Sequence, residues 1–230
     1  MMATASEGAD ATVSQAGAGV MNLAAAVSGT VAAYPTSLSF GTGSTVSSSV
    51  SLTLSNVGTA SDTFTIRAVA AGGAPAPTVS ADTVPLVAGG SRQVTVKLDA
   101  SGLTAGEYQG YLLVSGTAHS TAARIPYWFA SPGSAPAGVS VLYQDWYETP
   151  RISATEAVVF RVVDAAGLPY SGRQQPVVSA TVSGSGVICR TYRAGTIPGT
   201  YAVDIRTGTS SMTLSIAVGD VTESVVIPVY

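Results

Sequence analysis

A chain of 230 residues with 46% hydrophobic and only 10% charged residues is far from a disordered composition, which needs low hydrophobicity and high charge; Ser, Thr, Gly and Ala must cover much of its surface, since the usual charged share is about 25%. A net charge of −3 and a single lysine, Lys97, exclude nucleic acid as a partner, because no basic stripe exists to neutralise phosphates. The lone cysteine, Cys189, excludes an internal disulfide, although a chain of this length buries enough surface without one.

The first patterned stretch is SQAGAGVMNLAAAV, residues 14–27. Val20, Leu23, Ala24 and Val27 fall at i, i+3, i+4 and i+7, one face of a helix, and Asn22 lies off that face. A helix this short needs a partner to pack on. A signal peptide requires a basic n-region, and the first basic residue here is Arg67. The apolar run is also well short of the roughly 20 residues of a membrane span. The segment therefore reads as a cut end within a larger protein.

From Tyr34 onward the period is two. Val50, Leu52 and Leu54 alternate with Ser51, Thr53 and Ser55; Phe64 and Ile66 alternate with Thr63, Thr65 and Arg67; Val94, Val96 and Leu98 alternate with Thr95, Lys97 and Asp99. EYQGYLLVSG and RIPYWFA complete a first set of strands, and SPGSAPAG, residues 131–138, reads as a linker. A second set follows, near residues 139–143, 157–164, 177–184, 199–208, 211–219 and 223–230. Spacing of about 8–12 residues with turn signals between is the pattern of a sandwich.

Each set carries a Gly-x-Tyr at the start of a strand, at Tyr108 and Tyr201. In immunoglobulin-like sandwiches a tyrosine at this place bonds back to the upstream corner. The fold class expected is all-β: two tandem antiparallel β-sandwiches, residues 34–131 and 139–230, after a short helical segment within residues 1–33.

GAGVMNLAAAV, YPTSLSFGTG and SVSLTLSNVGTASDTFTI together resemble the junction in secreted bacterial subtilisin-like serine proteases, where the catalytic domain ends in a Gly-Ala-Gly turn and an Ala-rich helix before a fibronectin type III-like domain. LTAGEYQGYLLVSG and RIPYWFA resemble the closing strands of that domain. VVFRVVDAAGLPYSG with IPGTYAVDI resembles a bacterial Ig-like repeat of the invasin sort. The resemblance implies that residues 1–33 are the end of a protease domain, that the helix was built to lie against that domain, and that the parent is a secreted serine endopeptidase.

No catalytic constellation is visible. GTSSM, residues 208–212, resembles the family's nucleophile motif, but Ser211 interrupts it and a strand follows, so it reads as a hairpin turn. His119 is the only histidine, and it reads as a solvated loop residue without an orienting acid. One His and one Cys are too few for zinc, and no calcium loop is present; no cofactor is expected. Cys189 lies beside Arg190 and near Arg193, which favour a thiolate, yet it reads as a buried strand cysteine acting as a small hydrophobe.

The remaining candidate is VLYQDWYETP, residues 141–150. Tyr143, Trp146 and Tyr147 form either an interdomain seam against the strand of Tyr127, Trp128 and Phe129, or a platform for protein or sugar. The expected function is thus non-catalytic and extracellular: accessory domains that support the absent protease domain or bind a protein or polysaccharide substrate. The rivals are an Ig-like adhesion array without a protease, which has no need of the Gly-Ala-Gly helix, and a carbohydrate-binding module resting on Trp146 and its neighbours.

Overall fold

A computed structural model of the chain describes residues 12–117, 123–147, 150–172 and 175–230. It divides into two compact units, Met1–Ser131 and Pro132–Tyr230, each a β-sandwich.

The N-terminal segment is not one helix. Gly17 and Gly19 take φ of 56° and 113°, a conformation that ends a helix, and they separate α1 (Val13–Ala16) from α2 (Leu23–Ser28). Asn22 is the N-cap of α2, its side chain accepting from the Ala25 amide at 2.9 Å, which satisfies one of the free N–H groups of the first turn. Val20 thus lies outside both helices, and the expected face of Val20, Leu23, Ala24 and Val27 does not form. The segment is anchored instead through Ala18, which is buried, and through the Gly17 carbonyl, which accepts from the Tyr111 hydroxyl at 3.3 Å.

The first unit contains β1 (Val31–Tyr34), β2 (Leu38–Thr42), β3 (Val46–Asn56), β4 (Asp62–Ala70), β5 (Thr78–Val79), β6 (Thr83–Leu86), β7 (Ser91–Ala100), β8 (Gly106–Ser115) and β9 (Ala123–Ser131). One sheet has the order β1-β3-β7-β5 and the other β2-β9-β8-β4-β6. All pairings are antiparallel except β2 with β9, which run parallel. Leu52, Leu54, Phe64, Val96, Leu98, Ile125, Tyr127 and Phe129 fill the space between the sheets, as period-two alternation dictates. Val31 and Ala33 of β1 belong to this core, and β1 pairs with β3 along its whole length. The sandwich therefore begins at Val31, inside the stretch that the sequence assigned to a preceding domain.

The second unit contains β10 (Pro136–Gln144), β11 (Ser153–Asp164), β12 (Val178–Ser183), β13 (Val187–Arg193), β14 (Thr200–Arg206), β15 (Met212–Val218) and β16 (Val221–Ile227). Its sheets run β10-β11-β14-β13 and β12-β15-β16. Val158, Phe160, Val162, Val203, Ile205, Leu214, Ile216 and Ile227 form its core, and Phe160 stacks on Tyr201. The expected linker is shorter than eight residues, because β9 extends to Ser131 and β10 begins at Pro136.

The two Gly-x-Tyr sites differ in use. The Tyr108 hydroxyl bonds to the Thr104 carbonyl at 2.8 Å and its ring stacks on Phe129, so the tyrosine corner forms. Tyr201 is buried in the core against Phe160, and no such bond to an upstream corner forms there among the described residues.

Candidate functional site

GTSSM does not form a hairpin. It joins β14 to β15, which lie in different sheets, and the Ser211 hydroxyl accepts from the Val229 amide at 3.2 Å. His119 lies outside the described residues. Among the described residues no group of three His, Cys, Asp or Glu side chains is placed to hold a metal, and no helix is long and apolar enough to cross a membrane.

The aromatic cluster splits. Tyr147 turns inward: it is 7% exposed, belongs to the second core, and is held by backbone bonds to Pro228 and Tyr230. Its hydroxyl is buried without a hydrogen-bond partner among the described residues, and burial, then the charge of Asp145, push its pKa up to about 12. Tyr143 and Trp146 turn outward, 52% and 56% exposed. On β9, Tyr127 and Phe129 are fully buried in the first core; only the half-buried Trp128 is left from that triplet for any outside contact, opposite Ser39 on β2 and Gln109 on β8.

Of the four register shifts in the β10-β11-β14-β13 sheet, three shape this part of its outer face, since bulges re-aim side chains. The first, between Val141 and Tyr143, shifts Tyr143 from the core series of Val139 and Val141 to a place opposite Val159. The second, between Ile188 and Arg190, keeps Ile188 opposite the core residue Ile205 and sets Arg190 opposite Asp204 and Tyr192 opposite Ala202. The third, on β11 between Ala154 and Val158, includes Glu156 at φ 53° and delivers its amide to Asp204 Oδ1 at 2.9 Å. The result is a row across four strands, Tyr143, Val159, Ala202 and Tyr192. The two tyrosines stand about 14 Å apart, three strand spacings.

Beside this row, the Arg190 guanidinium lies 3.9 Å over the Tyr192 ring and bonds Asp204 at 2.9 and 3.1 Å. Burial works to raise the Asp204 pKa, but the Glu156 amide and Arg190 outweigh it and hold the carboxyl below its usual range. Sequence reading picked Tyr143 and Trp146, took Arg190 only as a neighbour of Cys189, and missed Tyr192 and Asp204. The alternation of GVICRTYR carries no mark of the bulge that brings them together. That bulge also overturns the expectation for Cys189, which is exposed.

No family model matches the sequence, and no curated protein does. Among solved structures the chain is similar to the PapD-like domain of human CEP192 (17% identity, TM-score 0.36, covering 45% of this chain and 86% of that one). It is also similar to a protein of unknown function from Porphyromonas gingivalis (13%, 0.37, 87% and 98%) and to the CupB2 chaperone of Pseudomonas aeruginosa (12%, 0.37, 86% and 100%).

Proposed function

We propose that this chain is a non-catalytic accessory region of a secreted subtilisin-like serine endopeptidase, in which Ig-like sandwiches support the catalytic domain and engage substrate protein or polysaccharide. The observation that carries this reading is the state of the N-terminal segment. Val20, Met21, Leu23 and Val27 are 62%, 69%, 62% and 83% exposed. Apolar side chains held this close together in sequence and open to water suit a covered position against a neighbouring domain, and the Gly-Ala-Gly resemblance supplies its kind. The natural gene tests it. A Gly-Thr-Ser-Met-Ala motif at the start of a helix, encoded about 100 residues upstream, supports the reading; further Ig-like repeats in its place overturn it.

The row of Tyr143, Val159, Ala202 and Tyr192, with exposed Trp146 near the end of β10, favours a second reading, an extracellular binding module without a protease. Exposed aromatics give contact area at small entropic cost. Affinity electrophoresis against soluble polysaccharides, with Tyr143→Ala and Tyr192→Ala, tests that face directly: retardation lost in both variants supports it, and migration unaffected by any polysaccharide removes the sugar-binding form of it.

A further inference from the structure

At one end of the second sandwich a cleft of about 290 Å³ is lined by Arg151, Ser185, Val187, Arg206, Thr207, Gly208 and Thr209. Two arginines, Arg151 and Arg206, line it, in a chain of net charge −3, and among the described residues no carboxylate is part of the lining. We propose that this cleft is a binding site for an oxyanion, a sulfate or carboxylate group held between Arg151 and Arg206.

The backbone around it is tied in place. The Arg151 amide donates to the Gly208 carbonyl at 3.1 Å, and the Thr207 amide donates to the Ile152 carbonyl at 2.9 Å. The Ile152 amide donates to Thr207 Oγ1 at 3.0 Å, and Thr207 is buried. Arg206 ends β14 between Ser153 of β11 and Val187 of β13. The two arginines thus leave adjacent segments whose backbones are tied together, so an anion that bridges them has only the side-chain rotamers to order.

Arg151 has φ 59°, a left-handed conformation that a non-glycine residue adopts at a cost and that concentrates at ligand sites. Gly208 approaches Ser185 so closely that a Cβ would meet its Oγ at 1.9 Å. That hydroxyl accepts from the Thr209 amide at 2.9 Å, which leaves its own proton to donate. The fork of a guanidinium matches the spacing of carboxylate and sulfate oxygens, and the Ser185 and Thr209 hydroxyls add neutral donors.

The test is an amide-resonance titration of the full chain with sodium sulfate and, separately, sodium glucuronate, at constant ionic strength. The expected result is saturable movement of the Ser185, Gly208 and Thr209 resonances in about the millimolar range. Arg151→Gln and Arg206→Gln each weaken it by about tenfold or more, the effect of one charge-assisted bond, while Arg92→Gln in the first sandwich changes nothing. Arg206→Lys, which keeps the charge but not the fork, falls between. Saturation by one probe and not the other supports the site and names its oxyanion. Shifts that stay linear with both probes, or binding unchanged in Arg151→Gln and Arg206→Gln, overturn it. If Arg206→Gln fails to fold, Arg151→Gln decides alone, since that side chain lies in an exposed turn.

Discussion

Asp164 Oδ2 accepts a hydrogen bond from the Gly133 amide at 2.8 Å, across 31 residues of sequence. The other carboxylate oxygen accepts from Ala166 at 2.8 Å and Leu168 at 3.0 Å, so one buried side chain closes the turn after β11 and fixes the segment before β10. Asn56 acts similarly in the first sandwich, donating to the Ala60 and Leu86 carbonyls and accepting from Gly58. Replacing Asp164 with Ala strands three amides, each worth about 1–3 kcal/mol when left unsatisfied and buried. The second sandwich should lose about 3 kcal/mol or more, with the first unchanged. Each sandwich has one tryptophan, Trp128 and Trp146, so denaturant unfolding of single-tryptophan variants reads the two separately; equal loss in both would contradict the assignment.

Gly110 and Tyr127 face each other across β8 and β9. A Cβ on Gly110 would meet the Val69 carbonyl oxygen at 2.3 Å and the Tyr127 hydroxyl at 2.5 Å. A mid-strand glycine commonly marks such a close approach. Gly110→Ala should destabilise the first sandwich by about 3 kcal/mol, the upper range of overpacking. Gly106→Ala, on the same strand with no atom within 4 Å, should be near neutral. Thermal melts of the pair decide it.

Acid sensitivity should centre on Asp204. Its folded pKa is depressed below the ordinary aspartate value, so its contribution is present above that ordinary value and disappears as pH falls through the lower folded one. Asp204→Asn should flatten the acid limb of the stability curve for the second sandwich, measured by urea unfolding across the acidic range. A curve parallel to that of the parent would exclude this carboxylate.

Tyr147 should behave in the opposite sense. Its folded pKa of about 12 lies above that of an ordinary tyrosine. Its contribution is therefore full below the unfolded value and is lost as pH rises through the folded one. Because the buried hydroxyl has no hydrogen-bond partner among the described residues, Tyr147→Phe should be neutral or stabilising at neutral pH and should remove one late-titrating phenol from the ultraviolet absorbance titration. Marked destabilisation would mean that the hydroxyl is bonded after all.

Truncation separates the N-terminal segment from the first sandwich. Removing residues 1–29 leaves β1 and the bond from the Val57 amide to the Thr30 carbonyl, so the sandwich should stay folded, weakened only by loss of the Ala18 and Gly17 anchor. Removing residues 1–34 takes β1 with Val31 and Ala33 out of the core and should cost several kcal/mol, about 1.5–3 for each large apolar side chain lost. Amide-resonance dispersion of the two truncated chains tells them apart.

The sequence by itself determined the all-β class and most of the strands. Period two depends only on the chain's own geometry: Leu52, Phe64, Val96 and Leu214 had to share a face with their alternate neighbours. The tertiary structure decided what depends on partners distant in sequence. Bulges on β10 and β13 set Tyr143 and Tyr192 on one face, and no local pattern records where an extra residue enters a ladder, because its position is fixed by the pairing strand. The same bulge exposed Cys189. The N-terminal segment broke at Gly17 and Gly19, whose positive φ values periodicity ignores. Arg151 and Arg206, 55 residues apart in sequence, line one cleft because the Thr207 hydroxyl and the Gly208 carbonyl tie the chain before β11 to the end of β14.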